Sequence, residues 1–163
     1  MTSGEVGCDA ESNGTTFSAL PQNEAFARGG HRGLAVQLNP TLPEMADIKT
    51  AVSEAVTNAI VHGYRGREDG LVRMSAEYGD RRLLTVVIRD EGCGIADVEK
   101  AMQPFYSTGD GAERSGMGFC VMQTFMDAVE VDSAVDRGTT VTMRKYITGE
   151  VGLHRERMLD EIG

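Results

Sequence analysis

Three short stretches of the chain carry residue types whose spacing could do chemistry. In SEAVTNAIVHGYRG, Ser53 to Gly66, the polar residues Glu54, Asn58 and His62 follow one another at intervals of four, which places them on one side of a helix. In RDEGCGI, Asp90 is followed by Gly92 and Gly94, and in ERSGMGF, Gly116 and Gly118 open an apolar run. A nucleotide held with magnesium needs an oxygen ligand for the metal, a polar group for the base edge, and backbone that can come close to phosphate. Asn58 can supply the first, Asp90 the second, and Gly116 and Gly118 at the start of a helix the third. Glu54, one turn before Asn58, would then lie near the terminal phosphate, where a carboxylate can accept the proton of an attacking hydroxyl or water.

Taken singly, each stretch has a plainer explanation. Glutamate and asparagine on a wet helix face are usually solvated, and glycines after an aspartate also make an ordinary strand-to-helix turn. Their occurrence together, with the glycine turn directly after an apolar strand, favours the ligand reading. His62 reads as structural, near a helix end where a partly charged ring suits the dipole. Cys93 and Cys120 read as small packed residues, since no charged neighbour in sequence suggests a lowered thiol pKa.

The elements that must position these residues follow from periodicity. Thr41 and Glu44 have capping-box spacing, Pro43 falls in the first turn, and Gly63 is a stop signal, so a helix is predicted between them. Along it Met45, Ile48, Val52, Ala55, Val56, Ala59 and Ile60 form an apolar stripe on the side away from Glu54, Asn58 and His62. LVRMSAEY and LLTVVIRD, joined by GDRR, are strands, and the second is dense enough for a sheet centre. A short helix around ADVEKAM, a loop from Gln103 to Ser115, and a helix within GMGFCVMQTFMDAV follow; Phe119, Met122, Phe125, Met126 and Val129 are its expected core face. AVEVDSAV and GTTVTMRKYI close the domain as a hairpin around DRG. Upstream, a short strand near Phe17 and a helix from about Asn23, weakened by Gly29, Gly30 and Gly33, complete an α+β fold, a two-layer α/β sandwich. Residues 1–14 are polar and glycine-rich and are expected to be a disordered leader, 15–147 the domain, and 148–163 a charged tail without chemistry of its own.

Composition narrows the partners. With 163 residues the chain is expected to form one domain, and its net charge of −9, with a pI near 4.8, argues against general electrostatic binding of a nucleic-acid backbone. Any polyanion it binds is expected to be small and locally coordinated. Three widely spaced cysteines fit neither a disulfide framework nor a paired-cysteine metal site, and the start has neither the basic region nor the apolar core of a signal peptide. With no run of ~18 apolar residues, the expectation is a cytoplasmic protein that does not enter a membrane.

EAVTNAIVHG, RDEGCGI, ERSGMGF and RGTTV, in this order, resemble the asparagine box, the two glycine boxes and the closing threonine motif of the Bergerat-fold ATPases. Within that superfamily FSALPQNEAFAR, SEAVTNAIVHGY, QPFYST and ERSGMGFCVMQTFMDAVEV resemble the sporulation anti-sigma F factors, a family of serine kinases, over roughly Phe17 to Ile147. The resemblance implies ATP and Mg2+ as ligands, Glu54 as catalytic base, Asn58 as the magnesium ligand, and Asp90 on the adenine amino group with Thr139 supporting that contact. It implies a nucleotide pocket shaped by Gly92, Gly94, Gly116, Gly118 and the neighbouring Met117 and Phe119. The segment from Gln103 to Ser115, with Thr108 and Ser115, would be a mobile lid whose Arg114 reaches the terminal phosphate. The implied partners are sigma factor F, an anti-anti-sigma factor phosphorylated on serine, and a second copy in a homodimer, with Arg28 as a candidate contact.

Two stretches depart from that family. GDGA follows QPFYST where lysine and proline are often found, so the lid is expected to be more flexible and more acidic, and the glycines after Arg28 replace helix-favouring residues of the docking region. Two other readings remain open at this point. One is an ATP-dependent anti-sigma binding module without kinase activity. The other is a detached histidine-kinase ATPase domain, disfavoured because that family usually has asparagine at the position of Glu54 and because neither His31 nor His154 lies in an acceptor-like helix.

Overall fold

The run LLTVVIRD forms strand β3, Leu83–Asp90, at the centre of a five-stranded antiparallel sheet ordered β1-β2-β3-β5-β4. The other strands are β1 (Glu11–Ser18), β2 (Leu71–Gly79), β4 (Ala128–Ala134) and β5 (Gly138–Tyr146). The computed structural model describes residues 11–19, 38–103 and 115–149. Side chains alternate between the two faces of a strand, so Leu84, Val86, Ile88 and Asp90 point the same way and all four are buried. The register sets Ile88 beside Met74 and Val141, and Val86 beside Ala76 and Met143. At the end of this row the aspartate falls between Val72 and Thr139. The alternation that builds the core therefore also carries Asp90 to the helix-covered face.

Helix α1, Leu42–Thr57, starts as expected: the Thr41 hydroxyl accepts from Glu44 N–H, the Glu44 carboxylate accepts from Thr41 N–H at 2.9 Å, and a proline occupies the first turn. Its apolar stripe covers the sheet, with Ile48, Val52 and Val56 fully buried. Helix α3, Ser115–Phe125, packs beside it through Phe119 and Met122, and Met126 just beyond the helix is buried too. A short helix α2, Val98–Ala101, is capped by the Asp97 side chain. The result is one helix layer on one sheet, the expected two-layer sandwich.

Several boundaries differ from the sequence reading. Strand β1 begins at Glu11, inside the stretch expected as a leader, where residues 11–18 pair with 71–78. The strand expected near Phe17 is thus its end, and local composition carries no trace of the distant partner that extends it back to Glu11. Val129 lies in β4 rather than on the face of α3, and Phe125 is only half buried. The first two residues of the expected tail, Thr148 and Gly149, are tied to Glu44 near the start of α1. Helix α1 does run to Gly63, but its last six residues, Asn58–Gly63, form a π-helical turn in which Tyr64 N–H reaches back five residues to Ala59. The helix expected from about Asn23 and the rest of the tail lie outside the described residues. No helix among the described residues is long and apolar enough to cross a membrane.

Candidate functional site

The π-helical turn, the end of β3, the turn after it and the start of β5 converge on a cleft of about 830 Å³. Asn58, His62, Asp90, Gly94, Phe119 and Thr139 all line it. Residues as far apart in the chain as Asn58 and Thr139 are thus brought to one cavity. A π turn amounts to one residue inserted into a helical turn; it rotates the residues after it relative to an ideal α-helix, and such turns recur at functional sites. Here it carries His62 to the cleft wall instead of leaving it in a solvated column.

Small residues make this convergence possible. A Cβ on Gly63 would lie 2.8 Å from a carboxylate oxygen of Asp90, and one on Gly92 would lie 2.2 Å from the carbonyl oxygen of Gly63. Glycine at both positions lets the helix end close onto the strand end. Tyr64 then locks the approach: its hydroxyl donates to Leu71 O and accepts from Glu91 N–H at 2.8 Å, joining helix end, β2 and the turn after β3. Gly92 therefore shapes the cleft from behind rather than lining it, whereas Gly94, with φ of 72°, does line it.

Asp90 is 5% exposed. Burial raises its carboxyl pKa above the ordinary carboxylate value, and the backbone N–H groups of Gly92 and Thr139 act in the opposite direction by donating to the charged form. The side chain is an acceptor fixed in place at the inner end of the cleft. Burial also lowers the pKa of His62, so desolvation opposes the partly charged imidazole expected from the helix dipole.

Asn58 is the anomaly of the site. Its side-chain nitrogen is buried and has no hydrogen-bond partner among the described residues. A buried amide left unsatisfied costs about 1–3 kcal/mol, which a protein tolerates where a ligand completes the set. The residue packs against Gly118 of α3, where an added Cβ would lie 3.0 Å from Nδ2 and 3.1 Å from Oδ1. A half-turn of the amide exchanges its oxygen and nitrogen, so the group can offer either an oxygen to a cation or an N–H to an anion. Magnesium usually takes few protein ligands and completes its shell with phosphates and water. Among the described residues no group of three or more His, Cys, Asp or Glu side chains could hold a metal ion, which leaves the Asn58 amide as the candidate ligand at this cleft.

The remaining sequence candidates divide in two. Glu54 is half buried on α1 one turn before Asn58, and it is not among the residues that line the cleft. Ser115, Gly116 and Met117 form the first turn of α3, directly ahead of Gly118 and Phe119. Arg28, Thr108 and Arg114 lie outside the described residues. Sequence reasoning passed over Gly63, Tyr64, Cys93, Gly138 and Ser133 as parts of the site. Cys93, expected to be packed away, lines the cleft, with its thiol donating to His62 O at 3.3 Å. A Cβ on Gly138, where φ is 83°, would lie 2.1 Å from Asp90 O, so this glycine holds the last hairpin against the aspartate. A glycine directly ahead of the threonine pair was the one signal available for it.

The sequence matches the histidine kinase-like ATPase domain family over residues 17–145. It is 54% identical over 129 residues to an anti-sigma F factor of Clostridium beijerinckii, covering 79% of this chain and 90% of the relative. An anti-sigma F factor of Priestia megaterium is 49% identical over 137 residues, covering 84% and 93% respectively. Among solved structures, the RsbU and RsbW domains of a Mycobacterium tuberculosis protein superpose with a TM-score of 0.62 at 18% identity, covering 84% of this chain and 32% of that one. The catalytic domain of the histidine kinase ThkA superposes with a TM-score of 0.52 at 15% identity, covering 83% and 96%. At such identities these two likenesses concern the fold alone, and it is the same sheet-and-helix sandwich. Family match and close relatives agree with the geometry of the cleft: the chain belongs to the anti-sigma F factors, within the histidine kinase-like ATPase domains.

Proposed function

We propose that the protein is an anti-sigma factor and ATP-dependent serine kinase that binds and inhibits the sporulation sigma factor F and phosphorylates a serine of its anti-anti-sigma antagonist. The observation that carries the nucleotide half of this reading is the buried Asn58 amide nitrogen, without a hydrogen-bond partner among the described residues, in the same cleft as the buried acceptor Asp90. The name borne by the relatives supports the partner half. The reading also takes the active form to be a homodimer in the cytoplasm, with Arg28 in the docking surface.

In this scheme Asp90 accepts from the amino group of adenine with Thr139 beside it, and the first turn of α3, around Ser115 to Gly118, presents backbone N–H groups to the phosphates. Asn58 would hold Mg2+, which would supply positive charge to offset that of the phosphate oxygens. Glu54, one helical turn earlier, accepts the proton of the partner's serine hydroxyl as that oxygen bonds to the γ-phosphorus and the bond to the β-bridging oxygen breaks, releasing ADP. Arg114 and Thr108 are assigned to the triphosphate end, where a cation would stabilise the charge that develops.

The test is transfer of labelled γ-phosphate to the anti-anti-sigma protein by wild type and by Glu54→Gln. Labelled serine with wild type, reduced on the order of a hundredfold or more in the variant with ATP affinity unchanged, is the expected result. ATP binding without any label on the partner would instead favour an ATP-dependent anti-sigma binding module that transfers no phosphate.

A further inference from the structure

Ser133 lies on β4, outside the lining of the cleft, yet its hydroxyl has three partners on two other segments, the turn after β3 and the start of β5. Its oxygen accepts from Ile95 N–H at 2.8 Å, lies 2.9 Å from the carbonyl oxygen of Gly138, and lies 2.8 Å from the Thr139 hydroxyl oxygen. A serine hydroxyl has a single proton. The carbonyl of buried Gly138 can only accept, so that proton goes to it, and the bond between Ser133 and Thr139 must then be donated by Thr139. The Thr139 proton points away from the cleft. What Thr139 presents to a ligand is a pair of lone pairs and no donor.

The other polar group at this end of the cleft, Asp90, is also an acceptor, with its neighbouring backbone N–H groups already directed at the carboxylate. Two acceptors side by side favour a ligand edge that carries N–H groups and disfavour one that carries an oxo group, whose lone pairs would face theirs across a low-dielectric cleft. We propose that Ser133 is a positioning residue for nucleobase selectivity: by taking the Thr139 proton it fixes that hydroxyl as an acceptor, so that the cleft selects a 6-amino purine over a 6-oxo purine. The inference rests on the nucleotide reading of the cleft and adds to it the residue that sets the polarity of the base end.

Titration calorimetry of the full chain with Mg-ATP and with Mg-ITP, which differs at the purine 6-position by oxo for amino, separates this role from a simple structural one. Wild type prefers ATP. In Ser133→Ala the Thr139 hydroxyl is free to turn and donate, and the ratio of ATP to ITP affinity falls about tenfold, the size of one hydrogen bond. Ser133→Thr restores the hydroxyl and keeps the wild-type ratio. Thr139→Val lowers the ratio as well, and adding Ser133→Ala to it lowers the ratio no further, because the effect passes through Thr139. Thermal unfolding checks each variant, and Ser133→Cys, a poor acceptor of the same shape, replaces the alanine variant if that one does not fold. Equal losses of ATP and ITP affinity in Ser133→Ala would reduce Ser133 to a structural tie and overturn the inference while leaving the nucleotide reading intact. Wild type that binds neither triphosphate would overturn both.

Discussion

The two ends of α1 hold one partly or fully buried polar residue each, and they are treated in opposite ways. At the N-terminal end, Glu44 accepts from Thr41 N–H, from Thr148 N–H and hydroxyl, and from Gly149 N–H. At the other end, the Asn58 amide keeps a buried nitrogen without a partner among the described residues. A helix whose first turn is fastened from both its own cap and a distant segment can tolerate a defect at its far end. The contrast separates a carboxylate whose hydrogen bonds fasten the fold from an amide nitrogen that the described residues leave without a partner.

The comparison can be broken most forcefully at Glu44. Replacing it by alanine leaves three backbone N–H groups without their acceptor, and unfolding free energy is expected to fall by about 3 kcal/mol, read from denaturant melts. ATP affinity of the fraction that folds should be unchanged. Asn58→Ala is the mirror image: affinity for Mg-ATP is expected to drop on the order of a hundredfold, while stability stays within about 1 kcal/mol of wild type or rises, since an unsatisfied group has been removed. A stability loss in Asn58→Ala as large as that in Glu44→Ala would erase the distinction.

Acid sharpens the same contrast. Burial pushes the Glu44 carboxyl upward, but the hydrogen bonds from Thr148, Thr41 and Gly149 outweigh it and hold its pKa at about 2 against an ordinary 4.5. Its contribution is therefore fully present above pH 4.5 and is lost as the pH falls toward 2, amounting to about 2 kcal/mol once solvent screening is allowed for. In Glu44→Gln that part of the acid sensitivity should be missing from stability-versus-pH curves. The smallest expected effect is at Gly118. Alanine there favours the helix by up to about 1 kcal/mol, yet its methyl would press on both polar atoms of the Asn58 amide. ATP affinity is expected to fall about tenfold while thermal stability holds or improves; a gain in both would show that the amide moves freely.

These features were unequally legible in the sequence. The capping box, the stop at Gly63, the four later strands and the two-layer arrangement follow from local patterns that the fold respects. Asn58 and Asp90 could be picked out by type and spacing and Thr139 through the family resemblance, and the structure places all three on one cleft. The π turn could not be read, because nothing in NAIVHG distinguishes five-residue from four-residue hydrogen bonding until Gly63 meets Asp90. Nor could Ser133 or the second role of Glu44, whose partners lie on other elements. Nor does local sequence show the burial of His62, which acts against the charge that the helix dipole would favour.

The clamp on Glu44 also has a meaning in time. Its bonds to Thr148 and Gly149 span 104 and 105 positions, and contacts of such separation are the slowest to form. A chain emerging from the ribosome has α1 in hand long before the residues that fasten its first turn. The helix must wait for β5 and the two residues beyond Ile147 to be translated, so its anchoring is among the last events of the domain's synthesis.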